Sequence, residues 1–112
     1  MKIVCRISAI LLFTITASCA GAEQRAASLY KTSCAQCHGA TGEADTPAAK
    51  VFNARSLKSP EVLKMSDAEM LALIRNGKEK MPAWVDVLTD DQIKDVIAYI
   101  RAMQKGKDSA AN

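Results

Sequence analysis

Cys34-Ala35-Gln36-Cys37-His38 is the stretch that decides how this chain is read. C-x-x-C-H is the spacing at which haem c is covalently attached. Two thiols three positions apart reach the two vinyl groups of one porphyrin, and the adjoining imidazole is delivered to one axial face of the iron. On this reading Cys34 and Cys37 are the thioether anchors and His38 is the proximal iron ligand.

Other uses of two cysteines fit less well. A thioredoxin-like dithiol is expected beside a βαβ pattern, and the residues around Cys34 lack the β-branched runs of such a unit. A structural zinc site needs about four ligands. With Cys5 and Cys19 assigned to a leader, only Cys34, Cys37 and the one histidine remain. A plain Cys34–Cys37 disulfide in an oxidising compartment stays open as the alternative, but it gives His38 no role.

Toward the N-terminus, Lys2 and Arg6 precede an apolar run from Ile7 to Ala17, followed by Ala20-Gly21-Ala22. This is the form of a secretory signal with an A-x-A cleavage site. It predicts a signal peptide over 1–22, a mature domain over 23–112 beginning at Glu23, and a periplasmic location. A spanning helix wants about twenty apolar residues. The run here is shorter and is interrupted by Ser8, Thr14, Thr16 and Ser18, so none is expected. Thr16-Ala17-Ser18-Cys19 also resembles a bacterial lipoprotein signal, with Thr16 where an aliphatic residue usually stands. A lipid anchor at Cys19 is therefore the second fate of the leader.

Length and charge bound what is left. A mature chain of about 90 residues is one small domain whose limited core leans on a cofactor or crosslink. The 112 residues carry 15 basic and 12 acidic side chains. Lys2 and Arg6 leave with the leader, so 13 basic side chains face 12 acidic ones. So small an excess argues against nucleic acid or a strongly acidic partner.

Toward the C-terminus the pattern is helical. Ala26, Leu29, Tyr30 and Ser33 form a one-sided stripe that runs into the haem motif. Gly39 to Lys58, with Gly39, Gly42, Asp45, Thr46, Pro47 and Asn53, reads as an irregular loop. Ser66-Asp67-Ala68-Glu69 is a capping box that opens a helix from Asp67 to Asn76, stopped at Gly77. Thr89-Asp90-Asp91-Gln92 opens a second, with Ile93, Val96, Ile97, Ile100 and Met103 on one face and Gly106 at its end. Beyond Gly106 the chain reads as a loose polar tail. No segment shows strand alternation, no repeat is visible, and C-x-x-C-H occurs once. The class is all-α, with about three to five helices and long loops round one haem.

The order of these pieces is specific. A first helix leads into Cys34-Ala35-Gln36-Cys37-His38-Gly39; then come Asn76-Gly77-Lys78-Glu79-Lys80-Met81-Pro82-Ala83-Trp84, Leu88-Thr89-Asp90-Asp91-Gln92 and Ala98-Tyr99-Ile100-Arg101. Together they resemble a small bacterial class I c-type cytochrome. The resemblance covers nearly all of the mature chain and implies helices wrapped round one haem, with the terminal helices crossing. It also implies a methionine as sixth ligand, and Met81 matches the Met-Pro position. A thioether is a soft, neutral donor that favours ferrous iron. His38 is the only histidine, so two histidines cannot share the iron. Met70 and Met103 fall on helical stripes and read as core. Met65, a vacant position or a lysine is the alternative to Met81.

The same resemblance implies a proline carbonyl that accepts the proximal imidazole N–H. Pro47 is the candidate, with loop stiffening as its other reading. Trp84 reads as a core anchor or a wall beside the haem, and Tyr30 and Tyr99 are expected to meet at the helix crossing. The family commonly has glycine near Ala26, so the crossing here is expected to be slightly wider. Lys31, Lys78 and Lys80 flank the motif and the ligand loop, either as a ring that guides a partner or as solvated surface. The expected function is a one-electron carrier, not an enzyme, working as a monomer between extracytoplasmic donor and acceptor proteins. The alternatives are an open-site haem sensor or peroxidase-like protein, and a bound electron-transfer subunit of a larger oxidoreductase.

Overall fold

Ile93, Val96, Ile97, Ile100 and Met103 recur at helical spacing, and all five are buried. That stripe organises the molecule. The computed structural model describes residues 17–106. Its elements are α1 (Ala17–Ser33), α2 (Ala35–His38), α3 (Pro47–Phe52), α4 (Pro60–Lys64), α5 (Asp67–Asn76) and α6 (Asp90–Gln104). The all-α class is borne out. Among the described residues the nearest thing to a strand is an isolated bridge between Lys78 and Met81.

α6 packs against both α1 and α5. Ala26 and Tyr30 are buried on α1, Met70 and Ile74 on α5 and Val62 on α4, and Leu57 and Leu88 close the core from the connecting segments. The terminal helices cross as expected: the Tyr30 and Tyr99 rings lie with centroids 5.3 Å apart at 45°. Ala26, buried where the family commonly has glycine, sits on the same helix.

Both capping boxes form. Ser66 and Glu69 exchange hydrogen bonds at the start of α5, as do Thr89 and Gln92 at the start of α6. Such caps satisfy helix N–H groups that have no partner within the helix. Salt bridges from Arg75 to Asp90 (2.8 Å) and from Arg101 to Asp67 (2.9 Å) tie α5 and its cap to α6.

Two elements correct the reading of the middle of the chain. Residues 39–58 are not wholly irregular, because α3 lies within them, and α4 follows at Pro60. Each starts with a hydroxyl cap and a proline in its first turn. Thr46 Oγ1 accepts from Ala49 N, and Ser59 Oγ accepts from Val62 N. Proline suits a first helical turn, where its missing N–H costs nothing. α1 also begins earlier than its stripe, at Ala17, and so runs through the expected cleavage point after Ala22. Ala20, Glu23, Gln24 and Arg25 are exposed, and Ala26 is buried. The expected leader residues 1–16 and the expected polar tail after Gly106 lie outside the described residues.

Candidate haem site

The C-x-x-C-H motif occupies the corner between α1 and α2. Cys34 N donates to the Tyr30 carbonyl at 2.8 Å, and His38 N to the Cys34 carbonyl at 2.9 Å, so one turn presents both thiols and the imidazole together. Gly39 caps the turn with φ +81, a conformation that side-chain-bearing residues rarely adopt. The Tyr30 hydroxyl donates to the Gly39 carbonyl at 2.6 Å and pins that cap to the helix crossing. Both thiols are free. Burial first, and the neighbouring Cys37 second, push the Cys34 thiol up to about 11, so it is a neutral thiol at ordinary pH.

Cys34, Cys37 and His38 line a cavity of about 570 Å³. Its size falls within the roughly 300–1,000 Å³ of pockets that enclose whole organic ligands. Leu57, Val62, Leu73, Ile74 and Ile100 supply apolar walls, and Met65, Met70, Met81, Pro82 and Trp84 also line it. The structure thus gathers every residue singled out for haem binding around one space. It also brings there Met65, the alternative to Met81, and Met70, which its helical stripe marks as core.

His38 has a definite orientation. Its Nδ1 lies 2.9 Å from the carbonyl oxygen of Arg55. A carbonyl can only accept, so Nδ1 carries the proton and Nε2 keeps its lone pair for a metal. The acceptor is therefore Arg55, not Pro47, which starts α3. Thr46 explains the difference: its hydroxyl donates to the Gln36 carbonyl at 2.7 Å and ties the start of α3 to α2. The chain then reaches the imidazole only after α3 has turned back.

Met81 sits in a tight reversal. Lys78 N donates to the Met81 carbonyl at 3.1 Å and Met81 N to the Lys78 carbonyl at 2.9 Å. Beyond it, Trp84 N and Val85 N bond the carbonyls of Ile74 and Arg75 at 3.1 Å each, so the loop is laced to the end of α5. Trp84 is half-buried, packed on the core and also on the cavity wall, which joins its two expected roles. Lys78 and Lys80 line the cavity mouth, whereas Lys31 does not; Lys80 Nζ donates to the Val51 carbonyl at 3.1 Å.

Two free thiols at haem-attachment spacing, an imidazole whose Nδ1 is engaged by a carbonyl and an apolar cavity between helices are the donor set and the housing that a covalent haem requires. Fold and site together define a c-type cytochrome. The family described as cytochrome c oxidase, cbb3-type, subunit III matches residues 21–100. The chain is 32% identical to cytochrome c6 of Thermosynechococcus vestitus over 102 residues, which span 87% of this chain and 85% of that protein. It is 32% identical to cytochrome c6 of Bryopsis maxima over 79 residues, 66% of this chain and 83% of that one. Among solved structures it resembles the KustC0563 c-type cytochrome, with a TM-score of 0.63 and 28% identity across 70% of this chain and 95% of the other. The chain belongs to the cytochrome c family as a small class I c-type cytochrome, an electron carrier and not an enzyme, whose cofactor is covalent haem c with its iron. No helix among the described residues is long and apolar enough to cross a membrane.

Proposed function

We propose that this chain is an extracytoplasmic one-electron carrier in which His38 and Met81 are the axial ligands of the haem held by Cys34 and Cys37. The observation that carries the reading is the shared cavity: both cysteines, His38 and the Met81-Pro82 reversal line the same space. The haem iron supplies the one-electron couple. The Arg55 carbonyl accepts from His38 Nδ1–H, which leaves Nε2 as the nitrogen that would ligate the iron. The Met81 thioether is the soft neutral donor that raises a haem potential relative to a second histidine. With both axial positions filled by protein there is no open site for a substrate, which suits a carrier. Met81 is preferred to Met65 because its reversal presents a side chain to the cavity without serving a helix. Met65, by contrast, is the C-cap of α4 and lends its carbonyl to Arg101.

Redox proteins outside the cytoplasm are the proposed donor and acceptor, met by a monomer at the cavity mouth where Lys78 and Lys80 stand. The leader pattern at residues 1–22 supports export, followed by release at Glu23 or anchoring through Cys19.

The test is the visible spectrum of haem-matured protein, oxidised and reduced, with carbon monoxide added to the reduced form. Low-spin haem with the long-wavelength sulfur-to-iron band and no carbon monoxide shift is expected. Met81→Ala should lose the band, bind carbon monoxide and fall markedly in potential, while Met65→Ala keeps all three properties. An unchanged potential in Met81→Ala would sink the assignment. A high-spin, carbon monoxide-reactive wild type would move the open-site sensor to the front.

A further inference from the structure

Gln104 lies in the last turn of α6, and its side-chain amide leaves the helix. Nε2 donates to the Leu57 carbonyl at 2.7 Å, while Oε1 accepts from Arg101 Nη1 at 3.0 Å. Arg101 is itself oriented: Nε meets Asp67 Oδ1 at 2.9 Å, and Nη2 donates to the Met65 carbonyl. From the other side, Leu57 N donates to the Gly42 carbonyl at 2.7 Å and Ser56 Oγ to the same oxygen at 3.2 Å. Residues 56 and 57 are thus clamped between α6 and the Gly42 turn. The preceding residue is Arg55, whose carbonyl accepts the His38 Nδ1 proton.

A backbone acceptor has no rotamer of its own. Its aim is set by its peptide plane, and that plane is set by the bonds of its neighbours. The chain Asp67, Arg101, Gln104, Leu57 therefore ends within two residues of the acceptor that orients the proximal imidazole. The Gly42 turn lies close against α6 and Leu57: a Cβ built there would lie 2.8 Å from Met103 Sδ and 3.3 Å from Leu57 Cβ. The acceptor on the outer nitrogen of a metal-bound imidazole fixes the ring and raises its donor strength.

We propose that Gln104, held by Arg101 and Asp67, is a positioning residue for the proximal histidine: it fixes the Arg55 carbonyl on His38 Nδ1–H and so sets how strongly His38 donates to the haem iron. The proposal rests on His38 being an axial ligand. Its sign follows from the chemistry. A firm acceptor gives the imidazole more imidazolate character and favours ferric iron, so loosening it raises the potential.

Gln104→Glu is the discriminating variant, because it keeps the shape and an oxygen for Arg101 but has no N–H for Leu57. In haem-loaded protein, NMR exchange of the His38 Nδ1 proton should become about tenfold faster, the order expected from losing one hydrogen bond. The potential should rise, and the sulfur-to-iron band should stay. Gln104→Met, which also lacks a donor, should move both readouts the same way, and it carries the test should the glutamate variant fail to fold. Ile93→Val, which trims the core away from the cavity, serves as the control: it should lower stability without moving either. Wild-type exchange and potential in the Gln104 variants, or equal shifts in Ile93→Val, would overturn the proposal. Should the wild-type haem lack a histidine-ligated low-spin spectrum, the ligation reading itself fails, and the proposal goes with it.

Discussion

The phenol of Tyr30 is buried at the helix crossing and gives its proton to the Gly39 carbonyl. Burial, and then the nearby Cys34, Tyr99 and Asp45, raise its ionisation well above the ordinary phenol range near 10. A raised pKa means that the contribution is fully present below the unfolded-state value and is lost as pH climbs beyond it. Stability should therefore hold up to pH about 10 and fall above it. Tyr30→Phe should cost about 1 kcal/mol near neutrality, the worth of one hydrogen bond, because Gly39 O keeps its second bond from Gly42 N. Its alkaline limb should be flatter than that of the wild type. Denaturant titrations at neutral and alkaline pH check both, and parallel curves for the two proteins would contradict the linkage. Cys34 follows the same physics with a different outcome: as a thioether it has no proton left to lose.

At the scale of elements, the joint between α5 and the Met81 reversal is the tightest. Gly77 caps α5 with φ +71, and a Cβ there would lie 2.6 Å from Met81 O, 2.7 Å from Ala83 N and 2.9 Å from the Pro82 carbonyl carbon. All three neighbours are backbone, so none can turn aside. On the proposed ligation, Gly77→Ala should push Met81 from the iron, weakening the sulfur-to-iron band and opening the haem to carbon monoxide; an unaltered spectrum would show that the reversal is not what seats the ligand. Helices α5 and α6 were legible because ten or more residues carry a stripe and a capping box announces each start. α3 and α4, at six and five residues, are too short for periodicity to register. Their signal was Thr46-Pro47 and Ser59-Pro60, a hydroxyl cap followed by a first-turn proline. The Arg55 carbonyl had no signal at all, since every residue carries one and only the turn made by α3 selects it. Likewise Met65 and Met70 reach the cavity wall through a packing arrangement that residue type cannot announce.

For the whole molecule, α6 is the spine on which α1 and α5 pack, and the haem cavity opens between these helices and the segments that connect them. Exported protein should have a mature N-terminus at Glu23, a cut that keeps the buried α1 positions Ala26 and Tyr30. Intact mass reads this directly, and a lipid-modified Cys19 would replace free diffusion with tethering. The cavity has one more consequence, which concerns folding. A space of about 570 Å³ walled by Leu57, Val62, Ile74 and Ile100 is poor company for water, and a domain this small has little other interior to spare. A ligand that binds only the folded chain draws the chain toward that state by mass action. Folding and cofactor loading are thus coupled: on the proposed attachment at Cys34 and Cys37, filling the cavity adds to the stability of the folded chain, and haem-free protein should unfold at lower denaturant than haem-loaded protein.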